Sequence, residues 1–252
     1  MADLLRVENL AKRFGGIVAT DDLILNIADG ELHAVIGPNG AGKTTLIAQL
    51  SGQLPPDSGR IFFAGNDITA VPMHARSALG LARSFQITSL FLDLSVLDNV
   101  ALAVQAHAGH SFHFWRNARR EPELRDPAHA ALTRVGLSKR ADLPASALSH
   151  GEHRQLELAM ALASKPRMLL LDEPMAGLGP EESTRMVAML RELKKELTVL
   201  LVEHDMEAVF ALADRITVLV YGRVIASGRP DDIRNNAQVR DAYLGEQEAT
   251  HG

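Results

Sequence analysis

The chain has no cysteine and no long hydrophobic run, and aromatic residues make up only 4% of its 252 residues. Without cysteine, a disulfide framework and a thiolate metal site are both excluded. A membrane-spanning helix needs about 20 mostly apolar residues, but the most apolar runs here are strand-sized and flanked by charged residues: Met168–Leu171, Leu197–Val202 and Ile216–Tyr221. The first residues also lack the basic start and apolar stretch of a signal peptide. We therefore expect a cytoplasmic protein that reaches a membrane only through a partner.

Composition and charge are those of an ordinary globular protein. Hydrophobic residues make up 46% and charged residues 23% of the sequence, which excludes a largely disordered chain or a collagen-like repeat. The formal net charge of −5, from 26 basic and 31 acidic residues, argues against a dedicated nucleic-acid-binding protein. The length predicts one or two domains with a sizeable core.

Hydrophobic periodicity predicts an α/β fold. Strand-like and helical segments alternate near the carboxyl terminus, which is typical of a parallel sheet with crossover helices. Residues 95–165 are rich in alanine and leucine at helical spacing, which predicts a helical subdomain inserted into a sheet-containing core. The predicted strands are Leu4–Leu10, Leu23–Ile27, Leu32–Ile36, Arg60–Ala64, Met168–Leu171, Thr198–Val202 and Ile216–Val220, and the predicted helices outside that insert are Lys43–Leu50, Pro180–Glu196, Met206–Ala213 and one or two within Pro230–Leu244.

A phosphate-binding loop is the most specific local pattern. Residues 37–44 read Gly-Pro-Asn-Gly-Ala-Gly-Lys-Thr and fit G-x-x-x-x-G-K-[ST] at every position, between a predicted strand and a predicted helix. Glycine lets the backbone turn its N–H groups toward phosphate oxygens, and the positive end of the helix adds attraction. Lys43 is predicted to reach the β- and γ-phosphates, and Thr44 to bind Mg²⁺. The loop alone does not distinguish an ATPase from a GTPase, a kinase or a recombinase.

Two carboxylates follow the apolar run that ends at Leu171. Asp172 is predicted to complete the Mg²⁺ shell, directly or through water. Glu173 is predicted to orient and deprotonate the attacking water as general base. Acidic turns after strands are common, so the weight of this pair depends on the phosphate loop earlier in the chain.

His204 and Gln86 are the next candidates. His204 comes just after the apolar run 197–202, and ligands collect at the carboxyl ends of strands in open α/β sheets. Its ring is predicted to hydrogen-bond the γ-phosphate or to hold Glu173 in place. The amide of Gln86, ahead of the helical region, can contact both Mg²⁺ and the attacking water.

Residues 148–152 read Leu-Ser-His-Gly-Glu and identify the family. With phosphate loop, glutamine, this signature, acidic strand and histidine in that order, the chain resembles the ATP-binding cassette of membrane transporters from Leu5 to about Gly245. The resemblance implies a P-loop α/β core with an antiparallel β subdomain and an inserted α-helical subdomain. It implies one nucleotide-binding domain over residues 1–252, with about 1–94 and 166–252 as ATP-binding core and about 95–165 as helical signature subdomain.

The resemblance also assigns roles to single residues. Phe14 matches the aromatic residue that stacks on adenine, and Ser149 and Gly151 match the positions that bind the γ-phosphate of the opposite subunit. Ser149 is also a good N-cap for the helix that follows. The implied cofactors are ATP and Mg²⁺, and two cassettes are expected to close around two nucleotides and reopen on hydrolysis. The implied catalytic residues are Lys43, Gln86, Glu173 and His204, the metal ligands are Thr44, Gln86 and Asp172, and the phosphate-binding residues are Gly37, Pro38, Asn39, Gly40, Ala41, Gly42, Lys43, Thr44 and Thr45.

Two stretches depart from the family pattern. The signature usually reads Leu-Ser-Gly-Gly-Gln, and His150 and Glu152 replace its Gly and Gln here. Ser149 and Gly151 are retained, and related importers tolerate both kinds of replacement. Gly179 stands where most cassettes have Asp, which predicts altered communication between subunits.

Softer motifs resemble those of branched-chain amino acid importers, and within them the longer of two different ATP-binding subunits. The lipopolysaccharide-export cassette shares these motifs less completely and stays the alternative. The implied partners are permease subunits, a second cassette, identical or different, and indirectly a periplasmic solute-binding protein, with the chain peripheral on the inner face of the cell membrane. The motifs are residues 12–16, 82–86, 176–178 and 242–246, together with an insert near 105–127.

Other functions have less support. A nucleic-acid-associated ATPase of this superfamily would carry a long coiled-coil insert or a second phosphate loop, and neither is visible. A non-catalytic regulatory subunit rests only on the departures at His150 and Gly179. In the stretch 107–120, histidines at 107, 110 and 113 are interleaved with aromatic residues and followed by arginines. We interpret this stretch as a surface helix or loop rather than a metal or nucleic-acid site, with aromatic residues that can contact the membrane partner or lipid headgroups.

Overall fold

The structure, a computed structural model, describes residues 3–84, 90–108 and 121–242. Its strands are β1 Asp3–Phe14, β2 Ile17–Ala28, β3 Leu32–Ile36, β4 Ser58–Phe63, β5 Asn66–Asp67, β6 Leu81–Arg83, β7 Met168–Asp172, β8 Thr198–Val202, β9 Arg215–Val220 and β10 Arg223–Gly228. Its helices are α1 Lys43–Ser51, α2 Met73–Ala78, α3 Val96–Ala108, α4 Pro122–Arg134, α5 His150–Ala163, α6 Pro180–Leu193, α7 Met206–Leu212 and α8 Pro230–Arg234. A further helical stretch covers 237–242.

The strands form two sheets. The antiparallel sheet has the order β2-β1-β4-β5, and the larger sheet has the order β10-β9-β3-β8-β7-β6. In the larger sheet only β10 runs antiparallel to its neighbour, so the predicted parallel sheet with crossovers is confirmed. Strands β3, β7 and β8 are buried along their whole length, which explains their continuous apolar sequences.

Alternate residues of the larger sheet contribute to two hydrophobic cores. On one face, Val35, Leu170 and Leu200 pack with α1 and the antiparallel sheet. On the other face, residues such as Leu169 and Leu201 pack with apolar residues of α3–α7. The larger sheet is therefore a middle layer, and both of its faces are covered.

Between residues 95 and 165, the described ranges consist of α3, α4 and α5 joined by turns and short 3-10 segments, with an isolated β-bridge between Ser95 and Pro144. Helices α3, α4 and α5 pack on one another, and none is longer than 14 residues. This agrees with the predicted helical character of the insert, whereas its boundaries as a separate subdomain stay a prediction. None of the helices in the described ranges has the length and apolar character that crossing a bilayer requires.

Several elements were not predicted from the sequence. Strand β10 lies at the edge of its sheet and its residues are mostly half-buried, so it lacks hydrophobic alternation. Strand β6 and helix α2 are too short for a periodic signal. Strands β1 and β2 are longer than expected because they continue through register shifts, near which Asn9 and Asp22 adopt left-handed backbone conformations.

A buried arginine closes the carboxyl end of α1, the helix that follows the phosphate loop. The Arg76 guanidinium donates to the carbonyls of Gln49 and Leu50 in α1, at 2.8 and 2.7 Å, and to those of Thr69 and Val71. Burial lowers the pKa of Arg76 to about 10. This one side chain therefore pairs four carbonyls, of which that of Gln49 also accepts from the N–H of Gly52 at 3.2 Å.

We expect Arg76→Met to lower the free energy of unfolding by about 3 kcal/mol, because several buried carbonyls lose their donor. Arg76→Lys should recover only part of this loss, since an ammonium cannot reproduce the planar fork of donors. Urea denaturation measures both changes. The control is Arg60→Met, an exposed strand position, and equal losses in Arg60→Met and Arg76→Met would contradict the assignment.

Candidate functional site

The candidate site lies where three neighbouring strands end. Val202 of β8 pairs with Val35 of β3 and with Asp172 of β7, so the three strands end at one level. The phosphate loop follows β3, Glu173 directly follows β7, and His204 is the second residue after β8. The structure therefore brings together the phosphate loop, the acidic pair and the histidine that the sequence predicted.

Two glycines let the phosphate loop approach its neighbours closely. Gly37 has a φ of 153°, and a Cβ there would lie 2.1 Å from the carbonyl oxygen of Leu219 in β9. Gly42 has a φ of 102°, and a Cβ there would lie 2.0 Å from the carbonyl oxygen of Ala19 in β2. A side chain at Gly37 would push the loop away from the larger sheet, and one at Gly42 would push it away from the antiparallel sheet.

The remaining predicted phosphate-binding residues form the rest of this loop and the first turn of α1. Lys43 is buried, and its Nζ donates to the carbonyls of Gly37 at 2.6 Å and Pro38 at 2.9 Å. Asn39, Gly40 and Thr44 are exposed, Thr45 is half-buried and Ala41 is buried. The carbonyl of Ala41 accepts from the N–H of Gly222 at 2.9 Å, so the loop is also held by the β9–β10 turn.

Asp172 is buried at the end of β7, and one of its two carboxylate oxygens is hydrogen-bonded. Its Oδ2 accepts from Arg83 at 3.1 Å, while its Oδ1 has no hydrogen-bond partner in the described ranges. Burial raises the pKa of Asp172 and the charge of Glu173 raises it further, whereas Arg83 and Lys43 oppose this rise. A buried carboxylate oxygen that has no partner in the described ranges, at the end of a strand that packs on the helix carrying the exposed Thr44, fits an oxygen-binding cation such as Mg²⁺.

Glu173 and His204 contact each other across two loops. The Nε2 of His204 lies 2.6 Å from the Oε1 of Glu173, and both side chains are partly exposed. Glu173 has a φ of 51°, and its N–H donates to the carbonyl of Val202 at 2.8 Å. The pair is thus held at the strand ends with access to solvent, as a base and its orienting partner require.

Sequence reasoning missed two charged residues of the site. Arg83 pairs with Asp172, and Glu203 is a buried carboxylate that accepts hydrogen bonds from the backbone N–H groups of Met175 and His204. Arg83 lies three residues before Gln86, and Glu203 directly precedes His204. Their position in the sequence could have revealed them. Arg83 is the last residue of β6 and Glu203 directly follows β8, and a charged residue at the end of an apolar strand is placed at the edge of the sheet where the site lies.

The signature residues begin α5, away from the phosphate loop. Ser149 is the N-cap, as predicted, and its Oγ accepts from the N–H of Glu152 at 3.2 Å. In return, the Glu152 carboxylate accepts from the N–H of Ser149 at 2.9 Å and from Arg140 at 3.0 Å. Glu152 in place of the usual glutamine therefore completes a capping box.

The first turn of α6 and the loop before it contact the signature. The Ser149 Oγ lies 3.5 Å from Oε1 of Glu182 in α6, and a Cβ on Gly151 would lie only 2.4 Å from the same oxygen. The ring of His150 lies over Gly177, with Nε2 3.1 Å from where a Cβ would stand. Among the described contacts of Ser149 and Gly151, none is to the phosphate loop of the same chain.

The other predicted residues have less structural context. Phe14 ends β1 at the tip of a hairpin with a 48% exposed side chain, and Lys12 Nζ lies 5.8 Å from its ring centre. Gln86 and most of the stretch 107–120 lie outside the described residues. Within the described ranges, no group of three or more histidine or carboxylate side chains could hold a metal ion.

The contact between Glu182 and Gly151 predicts an energetic coupling. Alanine is favoured over glycine in helices by up to about 1 kcal/mol, but at position 151 it must displace the Glu182 carboxylate. We expect Gly151→Ala to stabilise the protein in a Glu182→Ala background and not in the wild type, with a coupling energy of about 1 kcal/mol. Urea denaturation of the four proteins measures it.

The control for this cycle is Gly16→Ala, because a Cβ at Gly16, in the turn between β1 and β2, meets no atom within 4 Å. Its effect should be the same with and without Glu182→Ala. Additive effects of Gly151→Ala and Glu182→Ala would contradict the steric contact.

Comparison with known proteins agrees with this geometry. A family model described as ABC transporter matches residues 20–176, and one described as Branched-chain amino acid ATP-binding cassette transporter matches residues 223–249. The high-affinity branched-chain amino acid transport ATP-binding protein BraF of Pseudomonas aeruginosa is 38% identical over 250 residues, which are 96% of this chain and 98% of BraF. The corresponding LivG protein of Escherichia coli K12 is 37% identical over 252 residues, with coverage of 96% and 98%.

A lipopolysaccharide export system ATP-binding protein, LptB of Acidithiobacillus ferridurans, is 36% identical over 248 residues, with 98% of this chain and 99% of LptB covered. Among solved structures, the ADP conformation of an ATP-binding cassette of an ABC transporter superposes with a TM-score of 0.86 at 31% identity, covering 97% of this chain and all of that one. The chain belongs to the ABC transporter family, within which it is an ATP-binding subunit that couples ATP hydrolysis to transport.

Proposed function

We propose that this chain powers an importer of branched-chain or other hydrophobic amino acids, with Glu173 as the general base of ATP hydrolysis. The observation that carries the catalytic assignment is the 2.6 Å contact between Glu173 and His204 at the strand ends beside the phosphate loop. The match of residues 223–249 to the branched-chain amino acid cassette model supports the class of solute.

The residues divide the work of hydrolysis. Backbone N–H groups of the phosphate loop and the Lys43 ammonium hold the β- and γ-phosphates, and Phe14 stacks on adenine. Glu173 takes a proton from the attacking water, and His204 orients the Glu173 carboxylate and hydrogen-bonds the γ-phosphate. The rate enhancement is then mostly electrostatic positioning around the phosphates.

Mg²⁺ would be held by Thr44 and Asp172, with Gln86 as a third contact, and would neutralise charge on the β- and γ-phosphates when bound. The free Oδ1 of Asp172 supports this assignment. Arg83 occupies the other oxygen of Asp172 at 3.1 Å, so Oδ1 is the oxygen that would be available to a metal ion.

The signature acts on a second cassette. Ser149 and the first N–H groups of α5, near Gly151, bind the γ-phosphate held by the opposite subunit, since a helix start attracts anions. Permease subunits form the path of the solute through the membrane, and a periplasmic solute-binding protein delivers the solute to them. The chain then lies on the inner face of the membrane, with residues 95–165 as its helical signature subdomain and about 1–94 and 166–252 as the ATP-binding core.

We expect Glu173→Gln to bind ATP with unchanged affinity and to lose nearly all steady-state hydrolysis, because the glutamine amide cannot accept the water proton. The variant should also pass from monomer to dimer on addition of Mg-ATP. Light scattering measures the mass and phosphate release measures turnover.

Lys43→Ala is the control for that experiment, since it removes phosphate binding and should stay monomeric with ATP. Normal turnover by Glu173→Gln would refute the base assignment. A monomer that still binds ATP would show that the chain does not self-associate, and would point either to an obligatory different cassette or to interference by His150 and Gly179.

A second candidate is export of lipopolysaccharide, which the similarity to LptB favours. We expect cells that carry Glu173→Gln in place of the wild-type chain to lose uptake of labelled leucine, isoleucine and valine, because the importer can no longer hydrolyse ATP to drive transport. Uptake of an unrelated solute such as proline controls for cell energy. Normal uptake together with a defect in surface lipopolysaccharide would favour the export function instead.

A further inference from the structure

Glu203 is a buried carboxylate beside the catalytic pair. Its residue is 3% exposed and follows the last residue of β8. Burial raises its pKa, its three backbone hydrogen bonds oppose this rise, and the charge of Glu173 adds to it. No lysine or arginine forms an ion pair with it in the part of the chain that the structure describes. A carboxylate in this position must be stabilised by hydrogen bonds alone.

Those hydrogen bonds come from two different loops. The Oε1 of Glu203 accepts from the N–H of Met175 at 2.8 Å. Its Oε2 accepts from the N–H of His204 at 3.0 Å and from that of Asp205 at 3.5 Å. One side chain therefore joins the loop after β7 to the loop after β8.

Each of these loops carries one member of the catalytic pair. Met175 lies two residues after Glu173, whose backbone has a φ of 51°. A residue other than glycine keeps this left-handed backbone conformation only where its surroundings hold it. On the other side, the N–H that Glu203 binds belongs to His204 itself. Glu203 therefore links the same two loops that the 2.6 Å contact between Glu173 and His204 joins.

We propose that Glu203 is a positioning residue for ATP hydrolysis, which clamps both loops on one carboxylate and so sets the distance between Glu173 and His204. Both of its carboxylate oxygens already accept backbone N–H groups, so its role is to hold the loops. This inference rests on the proposed roles of Glu173 and His204 and adds a residue that those roles depend on.

The carboxylate has a specific chemical advantage over an amide here. All three groups that face it are N–H donors, and a carboxylate offers acceptors on both oxygens. A glutamine of the same shape would present an NH₂ group to at least one of these donors, so at least one loop must move. A displacement of about 1 Å at a catalytic group can reduce turnover by about 100-fold.

The test compares Glu203→Gln with the wild type at saturating Mg-ATP. We expect kcat to fall by roughly 10- to 100-fold, while KM for ATP and the Kd of a fluorescent ATP analogue change by less than about threefold. Because chemistry and not nucleotide binding is impaired, ATP should still convert the variant to a dimer, as is expected for Glu173→Gln.

Asp205→Asn is the matched control. It removes a carboxylate one residue further along, where the side chain only caps α7 by accepting from Ala208, and asparagine caps helices equally well. We expect its kcat to stay within twofold of the wild type. Glu203→Asp keeps the charge and both acceptors on a shorter stem, so its kcat should lie between those of the wild type and Glu203→Gln.

The result that overturns the proposal is a kcat of Glu203→Gln within twofold of the wild type, or a loss of kcat matched by an equal loss of ATP affinity. If Glu203→Gln does not fold, Glu203→Asp decides in the same way against Asp205→Asn. Failure of the proposed function is separately visible, because it would leave the wild-type chain without ATP hydrolysis or leave Glu173→Gln active.

Discussion

The position of β8 between β3 and β7 is the constraint on which the site depends. All residues of these three strands are buried, and Val202 is level with both Val35 and Asp172. A shift of one residue in this pairing would exchange the two faces of a strand and move the polar residues at its end. The burial that stabilises the sheet therefore also sets where the phosphate loop, the acidic pair and the histidine leave it.

Three carboxylates gather at this edge, and each is stabilised differently. Asp172 pairs with Arg83, Glu173 contacts His204, and Glu203 accepts only backbone N–H groups. Burial raises the pKa of Asp172 and of Glu203, and the charge of Glu173 raises both further. Positive charge brought in by a metal ion would oppose both effects.

The sequence predicted the parts of the molecule whose signal is local and repeated. Continuous apolar runs located β3, β7 and β8, and the spacing of glycine, lysine and threonine located the phosphate loop and Lys43. Strand β10 escaped prediction because an edge strand need not alternate, and β6 because three residues have no period. Glu203 escaped because its burial depends on a loop that begins near Met175, far away in the sequence.

The departures of the signature are also clearer in three dimensions than along the chain. Glu152 completes a capping box with Ser149, so it preserves the start of α5. Gly179 begins α6 without a side-chain cap, and space around it is open. Neither change disturbs the backbone that the helix start presents, which is the part of the signature that an anion would meet.

The packing of His150 over Gly177 has a consequence for exchanging parts between cassettes. Gly177 has a φ of 77°, and its missing side chain leaves the space that the imidazole ring fills. The third position of the signature and the loop after the acidic strand thus form one unit of complementary size, although 26 residues, Gly151 to Ala176, separate them in the sequence. A chimeric cassette that takes one segment without the other would combine a bulky ring with a bulky loop, or leave a void between two glycines.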